Sequence, residues 1–147
     1  MAYSFSESSK SKLDTCHKDI QLILEELIKY YDFSVICGIR TIKEQIELFE
    51  EGRSKLDGVT QRSKHQGING VSMAVDIMPY VKGTNAFSGT ELDSRRFYFM
   101  MGKVSSIAQR LYSEGKITHK IRFGLDWDGD QTYADQTFHD LPHFELI

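Results

Sequence analysis

Two histidines and two carboxylates in this sequence are of types that could share one catalytic centre. His65 closes Ser63-Lys64-His65, Asp76 closes Ala74-Val75-Asp76, and Asp140 precedes His143 by three residues in Asp140-Leu141-Pro142-His143. A catalytic zinc ion commonly takes three protein ligands, imidazole or carboxylate, and keeps a fourth position for water. His65, Asp76 and His143 meet that count. A further carboxylate is then needed to take a proton from the water and later give one to the leaving group, and Asp140 is its candidate. A sharp turn at Leu141-Pro142 would aim Asp140 and His143 into one pocket. Residue type alone does not single out this set, because isolated histidines are more often surface or satisfied core residues.

The rest of the chain has to position these groups. Its 147 residues suit one domain with a core that needs no disulfide staples. The net charge of −3 argues against a protein that works by long-range attraction to nucleic acid or anionic membrane. The two cysteines, Cys16 and Cys37, form no Cys-x-x-Cys pair, which excludes a cysteine-based zinc site; they read as reduced core or unreactive helix positions. The polar, Ser-rich start, Met1 to Lys10, has no apolar segment of a signal peptide, and no run is long enough to span a bilayer.

Serines between Ser6 and Ser11 offer N-caps, and apolar residues from Leu13 to Tyr31 recur at helical spacing, predicting one amphipathic helix to about Tyr30. Phe33 to Cys37 reads as a strand. Thr41 with Glu44 predicts a capped second helix, with Ile42, Ile46, Leu48 and Phe49 as its apolar positions and Gly52 at its end. Arg53 to Gly70 reads as an exposed loop. Ser72 to Met78 alternates as a strand that Pro79 ends, with Asp76 on its Ala/Asp/Met face. Val81 to Gly89 is rich in turn residues, and Asp93 to Ser113 is a third helix with Gly115 beyond its end. Lys120 to Phe123 and His143 to Ile147 read as strands, and His143 and Glu145 would share one face. An acidic loop joins them. The whole predicts an α+β fold: a small, largely antiparallel sheet with helices packed on one side and the site on the open face. One domain, 1–147, is expected, with no separate binding domain.

Four segments together resemble the zinc motifs of the VanY/M15 peptidases: Gly38-Ile39-Arg40-Thr41, Ser63-Lys64-His65, Ala74-Val75-Asp76-Ile77 and Asp140-Leu141-Pro142-His143-Phe144-Glu145-Leu146. The ensemble is most similar to the phage L-alanyl-D-glutamate endopeptidases, from about Phe33 to the C-terminus. The resemblance implies zinc on His65, Asp76 and His143, with Asp140 as general acid/base. It implies that Arg40 stabilises the scissile carbonyl or a substrate carboxylate. Ser63 would help place substrate or the first zinc ligand. The implied activity is zinc-dependent hydrolysis of the L-alanyl-D-glutamate bond in peptidoglycan stem peptides, hence cell-wall lysis. A D-Ala-D-Ala carboxypeptidase is the alternative enzyme, and a wall-binding module without catalysis the alternative outside enzymes. The protein would act as a monomer and stay in the host cytoplasm until lysis. One feature departs from the family pattern, which is close to Ser-x-His-x-x-Gly-x-Ala-x-Asp. Ten residues separate His65 from Asp76 here, against six there, so four extra residues fall between Gln66 and Ser72, where Gly67 and Gly70 permit a turn.

Other residues have competing readings. His17 and His119 read as solvated or boundary residues. His139 is the substitute ligand, and Glu145 is the runner-up base or a carboxylate that orients a ligand histidine. Asp126, Asp128 and Asp130 alternate like the start of a calcium loop, but Gln131 and Thr137 stand where an EF-hand has Gly and Glu, which favours a solvated turn. A calcium titration that moved neither activity nor thermal midpoint would dismiss the calcium reading. Trp127, Tyr133 and Phe138 would line the cleft or enter the core.

Overall fold

The structure, a computed structural model, describes residues 2–83, 89–132 and 139–147. Expectations for Tyr133, Thr137 and Phe138, and for part of the 81–89 and 124–140 loops, fall outside those residues. Four strands, β1 (Phe33–Cys37), β2 (Ala74–Pro79), β3 (Ile121–Phe123) and β4 (His143–Leu146), form one antiparallel sheet in the order β1-β2-β4-β3. The helices are α1 (Glu7–Leu13), α2 (Lys18–Leu27), α3 (Ile42–Glu50) and α4 (Glu91–Ser113). This is the α+β architecture that the pattern predicts.

The two-residue period of the strands divides their side chains. Phe33, Val35, Val75, Ile77, Phe144 and Leu146 are buried and join the core with Ile20, Leu24 and Leu27 of α2 and Phe97, Met100 and Val104 of α4. Each such burial stabilises the fold by about 1.5–3 kcal/mol. Asp76, His143 and Glu145 alternate with those apolar residues, so they belong to the opposite face.

Two helix expectations need correction. The single helix to about Tyr30 is two helices, α1 and α2, separated by Asp14–His17. The backbone there pairs with the approach to β2: Ser72 N–H donates to Thr15 O at 2.8 Å, and His17 N–H to Ser72 O at 2.9 Å. His17 then caps α2, its Nδ1 accepting from Asp19 N–H at 3.0 Å. α3 is capped by Thr41 as expected, but its apolar residues are not core. Ile42 and Phe49 are exposed, and its one buried side chain is Gln45.

The expected exposed loop from Arg53 to Gly70 contains a 3-10 turn, Lys64–Gln66, in which His65 and Gln66 are buried. Ser63 Oγ accepts from His65 N–H at 3.2 Å, and Gln66 Oε1 accepts from Ser63 N–H at 2.8 Å, a reciprocal cap that fixes the turn. The extra residues form a tight hairpin, with Ile68 and Val71 exchanging backbone hydrogen bonds across Asn69 (φ 52°) and Gly70 (φ 81°). Two positive φ values in an Asn-Gly pair are those of a type I′ turn.

Candidate metal and catalytic site

The ladder between β2 and β4 puts Asp76 opposite His143. The 3-10 turn delivers His65 to the same place. His65 Nε2 lies 3.3 Å from Asp76 Oδ1 and 3.2 Å from His143 Nδ1, and His143 Nδ1 lies 3.1 Å from Asp76 Oδ1. The three expected ligand atoms therefore converge. All three residues line a cavity of about 670 Å³, together with Arg40, Ser63 and Asp140.

Outer partners decide which nitrogen of each imidazole points inward. His65 Nδ1 donates to Gly38 O at 2.8 Å, which leaves the Nε2 lone pair facing Asp76 and His143. His143 Nε2 donates to Glu145 Oε1 at 2.9 Å, which leaves the Nδ1 lone pair facing inward. Two lone pairs and a carboxylate oxygen thus point at one another, an arrangement that repels itself unless a cation or proton lies between them. Burial alone would lower the His65 pKa, but its hydrogen bonds with Asp76 and Cys37 push it up to about 10. Burial would likewise raise the Asp76 pKa, and the two histidines hold it far below the usual carboxylate range.

Asp140 is set by a close backbone approach. Its N–H donates to Gly124 O at 2.9 Å, and Gly124 N–H donates to His143 O at 2.8 Å. A side chain at position 124 would run into Asp140 backbone and Cβ, so only glycine permits this contact. The result puts Asp140 Oδ2 4.0 Å from His143 Nδ1. Burial, and then the charge of Asp76, raises the Asp140 pKa.

Arg40 lies on the β1 side of the centre. Its Nη1 donates to Gln45 Oε1 at 2.7 Å, and its Nη2 stands 3.9 Å from Asp76 Oδ2. Glu145 is buried with both oxygens engaged, one by His143 and the other by Arg122 Nη2 at 2.8 Å. These bonds outweigh burial and lower its pKa, a setting that suits a carboxylate orienting a histidine. Trp127 stands against the His143 ring, 5.5 Å between centroids, and lines the cavity. His139 borders a separate cavity of about 310 Å³ and does not line the first.

Several partners escaped the sequence pattern. Gln45 Nε2 donates to Ser54 Oγ and Leu56 O, tying Arg40 to the 53–64 loop, and polar residues on an amphipathic helix normally face water. Cys37 is neither core nor helical; its Sγ lies 3.6 Å from His65 Nδ1. Burial alone would raise its pKa, but His65 and Arg40 lower it overall. Cys37, His65 and Asp76 also lie close enough together to hold a metal ion, although His65 Nδ1, the nitrogen beside Cys37 Sγ, is committed to Gly38 O. His119 is not simply solvated: its Nδ1 pairs with Asp19 Oδ2 at 2.8 Å. In the acidic loop Asp128 and Asp130 are exposed, whereas Asp126 is buried with Oδ2 bound to Gln131 N–H and, among the described residues, Oδ1 without a partner. One carboxylate oxygen from each of the three lies within 4.8 Å of the others, so they could hold a metal ion.

The family model for phage L-alanyl-D-glutamate peptidase matches residues 1–147. The L-alanyl-D-glutamate peptidase of Escherichia phage T5 is 27% identical over 154 residues, covering 100% of both chains. The crystal structure of Serratia marcescens L-Ala D-Glu endopeptidase ChiX has the same fold, with a TM-score of 0.63 at 23% identity, over 97% of this chain and 89% of that one.

Proposed function

The chain belongs to the phage L-alanyl-D-glutamate peptidase family, and on that premise we propose that it is a zinc-dependent endolysin that cuts the L-alanyl-D-glutamate bond of peptidoglycan stem peptides and so lyses the cell wall. One observation carries the zinc assignment. Ligand atoms about 2.0–2.1 Å from a tetrahedral zinc stand roughly 3.3 Å apart. The three facing atoms of His65, Asp76 and His143 are separated by 3.1–3.3 Å, with both imidazole lone pairs turned inward.

When bound there, zinc would supply a Lewis acid that lowers the pKa of its water and polarises the scissile carbonyl. Asp140 takes a proton from the attacking water at Oδ2 and returns it to the leaving amine, a task suited to a carboxylate whose pKa burial has raised. Arg40, held by Gln45 and facing the cavity, opposes the negative charge that grows on the carbonyl oxygen. Ser63 caps the turn that carries His65 and lines the cleft beside it.

Among the described residues no helix is long and apolar enough to cross a membrane. The enzyme waits in the host cytoplasm until lysis gives it access to the wall, and acts as a monomer. Product analysis on purified muropeptides, paired with metal quantification, tests the function. Free L-alanyl ends and one zinc per chain are expected. Release of terminal D-alanine would instead make the protein a carboxypeptidase, and unchanged lysis after complete metal removal would end the zinc assignment.

A further inference from the structure

The cavity around the site is charged unevenly. Six of the chain's 18 Lys and Arg residues line it, although the net charge is −3. Four of them, Arg53, Lys55, Arg62 and Lys64, come from one short stretch that forms a wall. The lining carboxylates, Asp76, Asp140 and Glu145, come from other elements. The only acid within 53–64 is Asp57, and it is consumed by its own turn, where Oδ1 accepts from Val59, Thr60 and Gln61 N–H at 2.8–2.9 Å.

This wall has almost no regular secondary structure, yet it is held firmly. Gln45 Nε2 grips Leu56 O at 2.7 Å and Ser54 Oγ at 2.9 Å. Gln66 Nε2 grips Gly58 O at 2.9 Å. Both glutamines are buried. A polar loop fixed from beneath by two buried amides presents its cations already ordered, which reduces the entropy lost on binding.

Most of the cations have other commitments. Arg40 is bound to Gln45, Arg53 pairs with Glu51, Lys64 donates to Leu146 O, and Arg122 pairs with Glu145. Arg62 borders the cavity one residue before Ser63, and among the described residues it has no ion pair or hydrogen bond. Its guanidinium is free to meet a planar anion with two parallel N–H donors.

The substrate offers such an anion. A glutamyl residue has two carboxyl groups and the peptide continues through one, so the other is available next to the cleaved bond. We propose that the 53–64 wall is a carboxylate subsite, with Arg62 receiving the glutamyl carboxylate that the peptide chain does not use. It rests on the peptidase reading above and adds a specificity: the free acid is preferred over the carboxamide.

Two synthetic stem-peptide fragments test this, identical except that the glutamyl carboxyl outside the chain is free in one and a carboxamide in the other. Wild-type kcat/KM is expected to favour the free acid roughly tenfold, the scale of one charge-assisted hydrogen-bonded pair. Arg62→Gln should bring the ratio close to one, mainly by raising KM for the acid, and Arg62→Lys should keep part of it. Arg62 is exposed, so both variants should fold, and a thermal melt verifies it. If the wild type cuts both fragments at the alanyl-glutamyl bond at equal rates, the subsite is overturned while the peptidase reading survives. A ratio that Arg62→Gln leaves intact also overturns it. If neither fragment is cut at that bond, the peptidase reading fails and the subsite with it.

Discussion

The two halves of the site are built by different means. Asp76 and His143 are neighbours because β2 and β4 are in register, and Glu145 follows on the same face because side chains alternate along a strand. Their positions are maintained by a backbone ladder over a packed core. His65 and the 53–64 wall instead sit on a turn and a loop that depend on side-chain hydrogen bonds from Ser63, Gln66 and Gln45. The strand half is thus set by cooperative structure that no one side chain maintains. The loop half hangs on a few amides, each removable by one substitution. The ladder fixes Asp76 and His143, and a half hung on side chains can change the cleft wall without disturbing the sheet.

The sharpest way to separate these roles is within the strand half itself. His143→Ala should abolish both metal binding and activity. Asp140→Ala should keep the metal while lowering kcat by about 10²–10⁴-fold, the usual contribution of a general acid–base group. Metal quantification beside kinetics checks both, and full activity in Asp140→Ala would refute its role.

Gln45→Leu attacks the loop half at its anchor. It leaves Arg40, Ser54 and the Leu56 carbonyl without their partner, at a cost of about 1–3 kcal/mol. Chemical denaturation should register that loss, and KM should rise while metal stoichiometry holds. If stability and KM were unchanged, the loop would not depend on this amide.

A tether at the entry to β3 gives the strand half a pH signature. Burial would raise the Asp19 pKa, but hydrogen bonds from His119 Nδ1 and from Thr118 and His119 N–H outweigh it, and the pKa is lowered. A depressed carboxylate pKa stabilises the fold above the unfolded value of about 3.9 and loses that contribution as pH falls through the folded value. Asp19→Asn should therefore destabilise the protein near neutral pH by about 1–2 kcal/mol. The gap from wild type should close in acid, as thermal melts across pH would reveal.

The smallest effect is expected at the inserted hairpin. A side chain at Gly70 would meet nothing within 4 Å, so Gly70→Ala suffers only from its positive φ, about 1 kcal/mol. Activity should be preserved, since the turn lies outside the cavity lining. A large loss of activity would instead make this hairpin part of the cleft.

Much of this molecule is determined by local sequence. Thr41 caps α3, Phe33–Cys37 is a strand with the predicted limits, and alternation along β4 puts His143 and Glu145 on one face. The residue types of the candidate site were legible for the same reason: the chemistry proposed for them belongs to side chains, and short motifs carry it. Tertiary structure decided what depends on distant partners. The break between α1 and α2 exists because Thr15 and His17 pair with Ser72, which no helical period reveals. Gln45 is buried because loop carbonyls need its amide, and Cys37 borders the centre because β1 ends there. Above all, the inward lone pairs of His65 and His143 are fixed by Gly38 O and Glu145, the first 27 residues away in sequence. Periodicity and propensity act over a few residues, whereas the orientation of a ring is set by whatever the fold brings against its other nitrogen.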